Sequence, residues 1–429
     1  MRPAAFMLLA GLLPVSAAAQ QPPPTSNDPA IAAMVRAVDP SALRRDDTAL
    51  VGFATRNDFS ETSSTATRGV FGARDWLVAQ FTDIAKNTGG RLSVRLDTYE
   101  QPKTARTPRS VTESSVIATL RGDEPGPLYI ISGHYDDCNG DCTDGMGVAP
   151  GADDNGSGSS AVLEAARVMA PHHFRGTIVF AIFDGEELGL WGSAHYADQL
   201  KAAHTGVAAD LNNDIIGNST GGNGVHEPAV VRLFSDTADS PSRELARYIT
   251  QAAADYVPEV AMRQIWRGDR FLRGGDQESF QDDGFPAIRF VEANENFAHQ
   301  HQNVRVENGL QCGDLLQYID FDYMAAVTRV NVAALAALAS APPPPSDAQI
   351  VTRRLVYDTT VRWKRSPGAT AYEVVWRATD AAAWQFSKNV GDVTEATIPV
   401  SKDDFVVAVR ALDAAGHRSV ASALTAVRE

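Results

Sequence analysis

Two carboxylates stand side by side in Asp184-Gly185-Glu186-Glu187-Leu188-Gly189, directly after the apolar, strand-like segment Thr177 to Phe183. Neighbouring acids at a strand's carboxyl end can share the work of hydrolysis. One binds a cation, and the other, held just off it, takes a proton from water and delivers it to a leaving amine. Acids in the first turn of a helix, favoured by its dipole, are the plainer explanation of the pair taken alone. Upstream, the segment Leu128 to Ser132 runs into Gly133-His134-Tyr135-Asp136. His134 is a candidate ligand there, and Asp136, two residues on along an extended chain, points the same way and can fix the imidazole tautomer that binds metal. Between these stretches lies Ala149-Pro150-Gly151-Ala152-Asp153-Asp154-Asn155-Gly156-Ser157-Gly158, a small-residue turn that leads into the apolar helix from Ala161. A helix cap explains one of its acids but not the cluster. Asp214, in Asn212-Asn213-Asp214-Ile215-Ile216-Gly217, again follows a strand-like run, and His299-Gln300-His301 closes the series. Two histidines with three carboxylates suit an open catalytic metal site, where a set of thiolates would suit a closed structural one.

Residues so scattered can act together only if the chain brings several strand ends to one edge. Strand-like and helix-like segments alternate through Leu128–Ser132, Ala161–Met169, Thr177–Phe183, Gly189–Leu200, Ala208–Leu211, Val230–Phe234, Arg243–Tyr256, Ala287–Val291 and Tyr323–Leu338. That alternation predicts an α/β domain with a mainly parallel sheet, whose carboxyl edge is where ligands gather. Amphipathic helical patterns such as Phe71 to Ile84 predict a helical N-terminal part over about 28–110. The run Ala341-Pro342-Pro343-Pro344-Pro345-Ser346 stops any preceding helix and makes a semi-rigid spacer. The expected division is therefore a main domain over residues 20–341, a linker at 342–346 and a second domain over 347–429. In the last of these, apolar residues alternate with period two at Val361 and Trp363, at Tyr372, Val374 and Trp376, and at Phe405, Val407 and Val409. Turn signals at Ser366-Pro367-Gly368 and Ala415-Gly416 separate these runs, which predicts a small β-sandwich with no catalytic constellation.

With 429 residues, 44% of them hydrophobic and 21% charged, the chain has ordinary globular composition and a length that implies more than one domain. A net charge of −15 argues against nucleic acid or anionic lipid as a partner. Met1-Arg2, the apolar run from Ala4 to Val15 and the small residues Ser16 to Ala19 precede the polar, proline-rich stretch Gln20 to Pro24. This pattern predicts a signal peptide over residues 1–19 and a secreted or periplasmic protein; a membrane anchor needs a longer span and a stop-transfer flank. No other stretch reads as long and apolar enough to cross a bilayer. Export permits disulfides, yet the cysteines are Cys138, Cys142 and Cys312 alone, so the fold must rest on its core. Cys138 and Cys142 can close a small loop and leave Cys312 single, with a metal–thiolate site as the alternative.

Taken in order, His134-Tyr135-Asp136, the turn Gly151 to Gly158, Glu186-Glu187-Leu188-Gly189, Asn212 to Asn218 and a late histidine resemble metallopeptidase family 28, which includes bacterial leucyl aminopeptidases. The resemblance covers most of residues 50–340. It implies a phosphorylase/hydrolase-like three-layer α/β/α sandwich that carries two zinc ions. It implies Asp154 as the carboxylate between the metals with a cis peptide to Asn155, His134 and Asp214 on one zinc, and Glu187 and His299 on the other. Glu186 matches the general base and Asp136 the orienter of His134. The family's late histidine is usually followed four residues on by aspartate; Asn303 stands at that distance from His299, and His301 is the rival ligand. In Gly274-Gly275-Asp276-Gln277-Glu278-Ser279-Phe280, Gln277 stands where the family commonly has histidine, a departure expected to bear on the substrate pocket. The C-terminal segment resembles a fibronectin type III domain. The implied activity is aminopeptidase hydrolysis of peptides with a free N-terminus. Its rivals are a single-zinc glutaminyl cyclase on the same fold, a metal-free binding protein on this scaffold, and surface or polysaccharide adhesion through the C-terminal sandwich alone.

Overall fold

Capping carboxylates ahead of a proline start the first two helices. Asp28 and Asp39 each accept a hydrogen bond from the backbone N–H two residues on, at 2.7 and 2.8 Å, and Pro29 and Pro40 pre-set the first helical turn. These helices, α1 (Pro29–Ala37) and α2 (Pro40–Val51), are followed by α3 (Val70–Ala85). The computed structural model describes residues 26, 28–353 and 356–428, so the expected leader at 1–19 lies outside the described residues.

Eight strands build the main sheet: β1 (Leu92–Gln101), β2 (Val111–Leu120), β3 (Leu128–His134), β4 (Thr177–Phe183), β5 (Val207–Asn213), β6 (Val230–Phe234), β7 (Ala261–Ile265) and β8 (Ala287–Glu292). Their order is β1-β2-β4-β3-β5-β8-β6-β7, parallel through the central β4, β3, β5 and β8 and mixed towards both edges. The helical expectation for 28–110 is corrected over its last part. Residues 92–101 pair antiparallel with β2, and the helices stop at Ala85.

The remaining helices are α4 (Gly158–Met169), α5 (Trp191–Ala202), α6 (Pro241–Tyr256), α7 (Gln277–Asp282) and α8 (Phe321–Ser340). Strand β4 shows why three layers form. Ile178, Phe180 and Ile182 face one apolar cluster with residues of α1 to α4, α6 and α8, while Val179, Ala181 and Phe183 face another with residues of α5 and α7. A strand covered on both faces reads as a continuous apolar run. Helix α8 is 20 residues long with mean hydropathy 1.3, enough by length and composition to cross a membrane, which corrects the expectation that no stretch beyond the leader qualifies. Its most apolar window is 78% buried against the sheet and its helices, as befits a core helix.

A short hairpin, β9 (Arg305–Glu307) with β10 (Leu310–Cys312), precedes α8. Beyond the prolines come β11 (Ser346–Val351), β12 (Thr359–Lys364), β13 (Ala371–Ala378), β14 (Phe386–Gly391), β15 (Glu395–Ile398), β16 (Phe405–Leu412), β17 (Ser422–Ala423) and β18 (Thr425–Val427). They form two four-stranded sheets, β15-β12-β11-β18 and β14-β13-β16-β17, around a shared core that includes Val361, Trp363, Tyr372, Trp376 and Val409. Helix α6 joins this sandwich to the main domain: Glu244 accepts from Trp384 Nε1 at 3.0 Å and from the Ala421 N–H at 3.1 Å, and Asp239 pairs with Arg377.

Candidate metal centre

Adjacent parallel strands deliver the chemistry to one edge. His134 ends β3, Glu186 and Glu187 follow β4, and Asp214 follows β5. The turn that supplies Asp154 is pressed close to them: a Cβ on Gly158 would lie 2.1 Å from the Asn213 carbonyl oxygen, so only glycine lets α4 begin there. Asn155 bridges the same gap, donating to the Asn213 carbonyl and accepting from the Gly158 N–H, each at 2.8 Å, and the Asp154–Asn155 peptide is cis. Asp314 accepts the Asp153 N–H at 2.9 Å and the Asp154 N–H at 2.8 Å.

Asp154 thereby comes to lie between two imidazoles. Its Oδ1 is 3.5 Å from His134 Nε2, and its Oδ2 is 3.0 Å from His301 Nε2. On the first side, His134 Nε2 is also 3.6 Å from Asp214 Oδ1 and 4.0 Å from Glu186 Oε2; on the second, His301 Nε2 is 2.9 Å from Glu187 Oε2. Asp136 connects the two sides. One of its oxygens is 3.3 Å from His134 Nδ1 and the other accepts the Glu187 N–H at 3.0 Å.

His299, the late ligand that the resemblance implies, does not lie in this arrangement. Its ring stacks on Tyr318 with centroids 3.7 Å apart, and its Nε2 lies 3.3 Å from Asn296 Nδ2. The chain turns after it, with His301 at φ 49°, so that His301 takes the position beside Asp154 and Glu187. Asn303, whose spacing from His299 favours that residue in the sequence, instead accepts a hydrogen bond from the Gly140 N–H at 3.3 Å. Gln277 donates to the Gly268 carbonyl at 2.9 Å, on the loop beside the cleft.

Three contributors escape the sequence reading. Gln300 donates to Asp154 Oδ2 at 3.2 Å, Asp314 holds the turn, and Arg289 Nη2 lies 2.6 Å from Asp214 Oδ2 while another of its nitrogens donates to the Gly274 carbonyl. Arg289 had a signal, a charge inside the buried strand Ala287–Glu292, where an unpaired arginine is not tolerated. Asp314 and Gln300 had none.

Electrostatics mark the same residues. Burial pushes Asp154 up, but His134 and His301 outweigh it and hold its carboxyl well below the usual carboxylate range. Burial lifts Glu186 well above its ordinary value; His134 opposes, while Asp214 and Glu187 add to the lift. The Glu187 carboxylate, against burial, pushes His301 up to about 12. His134 Nε2, Asp214 Oδ1 and Glu187 Oε1 are buried without a hydrogen-bond partner. Buried polar atoms are normally satisfied, and a cation is the partner that two acceptor oxygens and an imidazole nitrogen share. Imidazole plus carboxylate is a donor set that fits zinc.

A cleft of about 410 Å³ opens over these residues, walled by Asp154, Glu186, Glu187, Asp214 and His301 and bordered by the loop at Asp269 to Gly274. Cys138 and Cys142 are joined in a disulfide at its side, and Cys312 is free and buried.

Residues 115–321 match Peptidase family M28. A probable zinc metalloprotease of Leptosphaeria maculans is 41% identical over 413 residues, 91% of this chain and 96% of the relative. Among solved structures, the LapA aminopeptidase of Legionella pneumophila superposes with a TM-score of 0.58 at 22% identity, over 75% of this chain and 78% of that one. A glutaminyl cyclase of Porphyromonas gingivalis gives 0.50 at 18% identity, over 69% and 97%. At such identities these structural likenesses speak to fold alone. A relative matched along nearly its whole length, together with the family match across the strands that carry His134, Glu186, Glu187 and Asp214, establishes that the chain belongs to peptidase family M28.

Proposed function

We propose that this peptidase is a secreted di-zinc exopeptidase that cleaves the first peptide bond of substrates with a free N-terminus. The observation that carries the reading is Asp154 with one imidazole nitrogen in front of each carboxylate oxygen, at 3.5 and 3.0 Å, an arrangement in which two cations would share one acid. His134 and Asp214 belong to one position, and Glu187 with His301 to the other. Zinc is the ion named for the Leptosphaeria relative, and the donor types suit it. Bound zinc supplies Lewis acidity towards a peptide carbonyl and towards water.

The rest of the chemistry falls to the chain. Glu186 stands 4.0 Å from His134 Nε2, outside direct contact, and its raised proton affinity suits a base that takes a proton from water and returns it to the leaving amine. Asp136 keeps the His134 proton on Nδ1, leaving Nε2 as the donor atom. Asp214 is held by Arg289 through one oxygen and turns the other towards His134. The cleft lining carries both signs, Asp269 and Glu278 with Arg106, Arg270 and Arg273, so its charge does not choose a substrate end; the preference for a free N-terminus is taken from the family resemblance. Export through residues 1–19 is part of this reading, and the C-terminal sandwich, fibronectin type III-like by its sequence, is taken as an appendage without chemistry.

Metal content per chain and hydrolysis of aminoacyl-anilides, measured on the mature protein and on Glu186→Gln, test the proposal. Two zincs, activity in the parent and a kcat lower by about 10²–10⁴-fold in the metal-loaded variant are expected. One zinc per chain would point to a cyclase, and activity unchanged in Glu186→Gln would remove Glu186 from its role.

A further inference from the structure

The disulfide lies against the second cation position. The Cys138 and Cys142 sulfurs, a Glu187 carboxylate oxygen and a His301 ring nitrogen all fall within 4.8 Å of one another. Nothing in peptide hydrolysis calls for sulfur there. A disulfide sulfur carries no thiolate charge and is a poor ligand, so the oxidised pair fills space beside Glu187 and His301 without competing for an ion.

Reduction changes that chemistry. Two soft donors would appear next to an imidazole and a carboxylate, a four-donor set of the kind that closes around zinc and leaves no open position. Donors around a tetrahedral zinc lie on the order of 3.3–3.8 Å apart, given bond lengths of ~2.0–2.3 Å, so shifts of about an ångström complete the set.

The loop is held in place by contacts that do not involve sulfur. Asn57 donates to the Cys142 carbonyl at 2.8 Å, Gly140 N–H donates to Asn303 on the His301 turn at 3.3 Å, and Asp136 just upstream accepts the Glu187 N–H. Opening the S–S bond therefore frees the sulfurs without releasing the loop.

We infer that the Cys138–Cys142 disulfide is a redox latch on the peptidase centre: oxidised, it leaves the Glu187–His301 position open, and reduced, its two thiols take the metal there and close it. The inference rests on the reading that a metal occupies that position. With a water-soluble phosphine as reductant, the S–S bond breaks, the phosphine is oxidised to its oxide with oxygen from water, and each sulfur receives a proton. Each thiol gives that proton to solvent as it binds the ion. For a chain made in a reducing compartment and exported to an oxidising one, the latch holds the peptidase inactive until export.

The test uses the full-length mature protein loaded with cobalt in place of zinc, treated with the phosphine and then reoxidised. Two thiols should appear beyond Cys312, together with a thiolate-to-cobalt charge-transfer band in the near ultraviolet, and anilide hydrolysis should fall by at least about a hundredfold because the open position is lost. Reoxidation should reverse all three. In Cys138→Ser/Cys142→Ser, the phosphine should produce no band and leave hydrolysis the same as without it. Two new thiols with no charge-transfer band would overturn the latch, as would undiminished hydrolysis by the reduced protein. The band is read whether or not the oxidised protein cleaves peptides, so failure of the aminopeptidase reading is seen separately, as absent hydrolysis before any reductant is added.

Discussion

Asp154 has an imidazole on each side, and the second belongs to His301. Replacing His301 with alanine removes a nitrogen 2.9 Å from Glu187 and 3.0 Å from Asp154. On the di-zinc proposal, zinc at the Glu187–His301 position should then bind at least about 100-fold more weakly, since loss of an outer partner alone can cost that much. His299→Ala removes a ring that stacks on Tyr318, and zinc content should stay at the parent level. Equilibrium dialysis against a zinc indicator distinguishes the two, and loss of zinc from the His299 variant with retention in the His301 variant would reverse the assignment.

Among the elements, the segment after α2 holds loops at the sheet edge together. Arg56 is wholly buried, and its guanidinium donates to the Tyr135 carbonyl at 2.6 Å, the Pro150 carbonyl at 2.8 Å and the Gly151 carbonyl at 2.9 Å, beside Asp137 at 3.3 Å. One side chain thus ties the end of β3 to the turn that bears Asp154. Burial raises Asp137 to about 7 even though Arg56 opposes it, so Asp137 depends on that guanidinium. Arg56→Met should lower stability by about 3–5 kcal/mol in urea unfolding, because the Tyr135, Pro150 and Gly151 carbonyls lose their donor and Asp137 its counter-charge. Asp137→Asn added to it should recover part of the loss, and a single variant as stable as the parent would show that the pair contributes little.

Across the whole molecule, the two ends of the described chain meet. His417 in the sandwich lies 2.6 Å from Asp28 at the start of α1 and 2.8 Å from Asp413. Burial depresses its proton affinity, but hydrogen bonds to Asp28 and Asp413 overcome this and raise its pKa above 6.5. A histidine whose folded pKa is raised adds stability that is fully present below the unfolded value near 6.5 and is lost as pH rises through the folded value. His417→Gln should therefore lower Tm by roughly 2 °C at about pH 6 and by less at about pH 9. A deficit that is equal at both pH values would show that packing, not charge, carries the contact.

Much of this is legible in the order of the residues. Period and composition determined an α/β domain ahead of the prolines and a β-rich one after them, because burial on two faces, burial on one face and helix-breaking prolines each leave a local trace. The acids and His134 at strand ends are legible for a similar reason, since a buried strand announces where it stops. Strand β1, mostly exposed on an edge of the sheet, leaves a weaker trace and falls within the stretch that local pattern assigns to helix. Local pattern favours His299 through its spacing to Asn303, whereas the turn brings His301 to Asp154 and Glu187: two histidines two residues apart differ in which way the turn faces them, and packing against Tyr318, Asp154 and Glu187 sets that. The tertiary structure alone placed Asp314, Gln300 and Arg289 against Asp154 and Asp214 and set the Cys138–Cys142 pair beside Glu187 and His301. Contacts between residues tens to more than a hundred positions apart depend on how elements pack, and no local period records that.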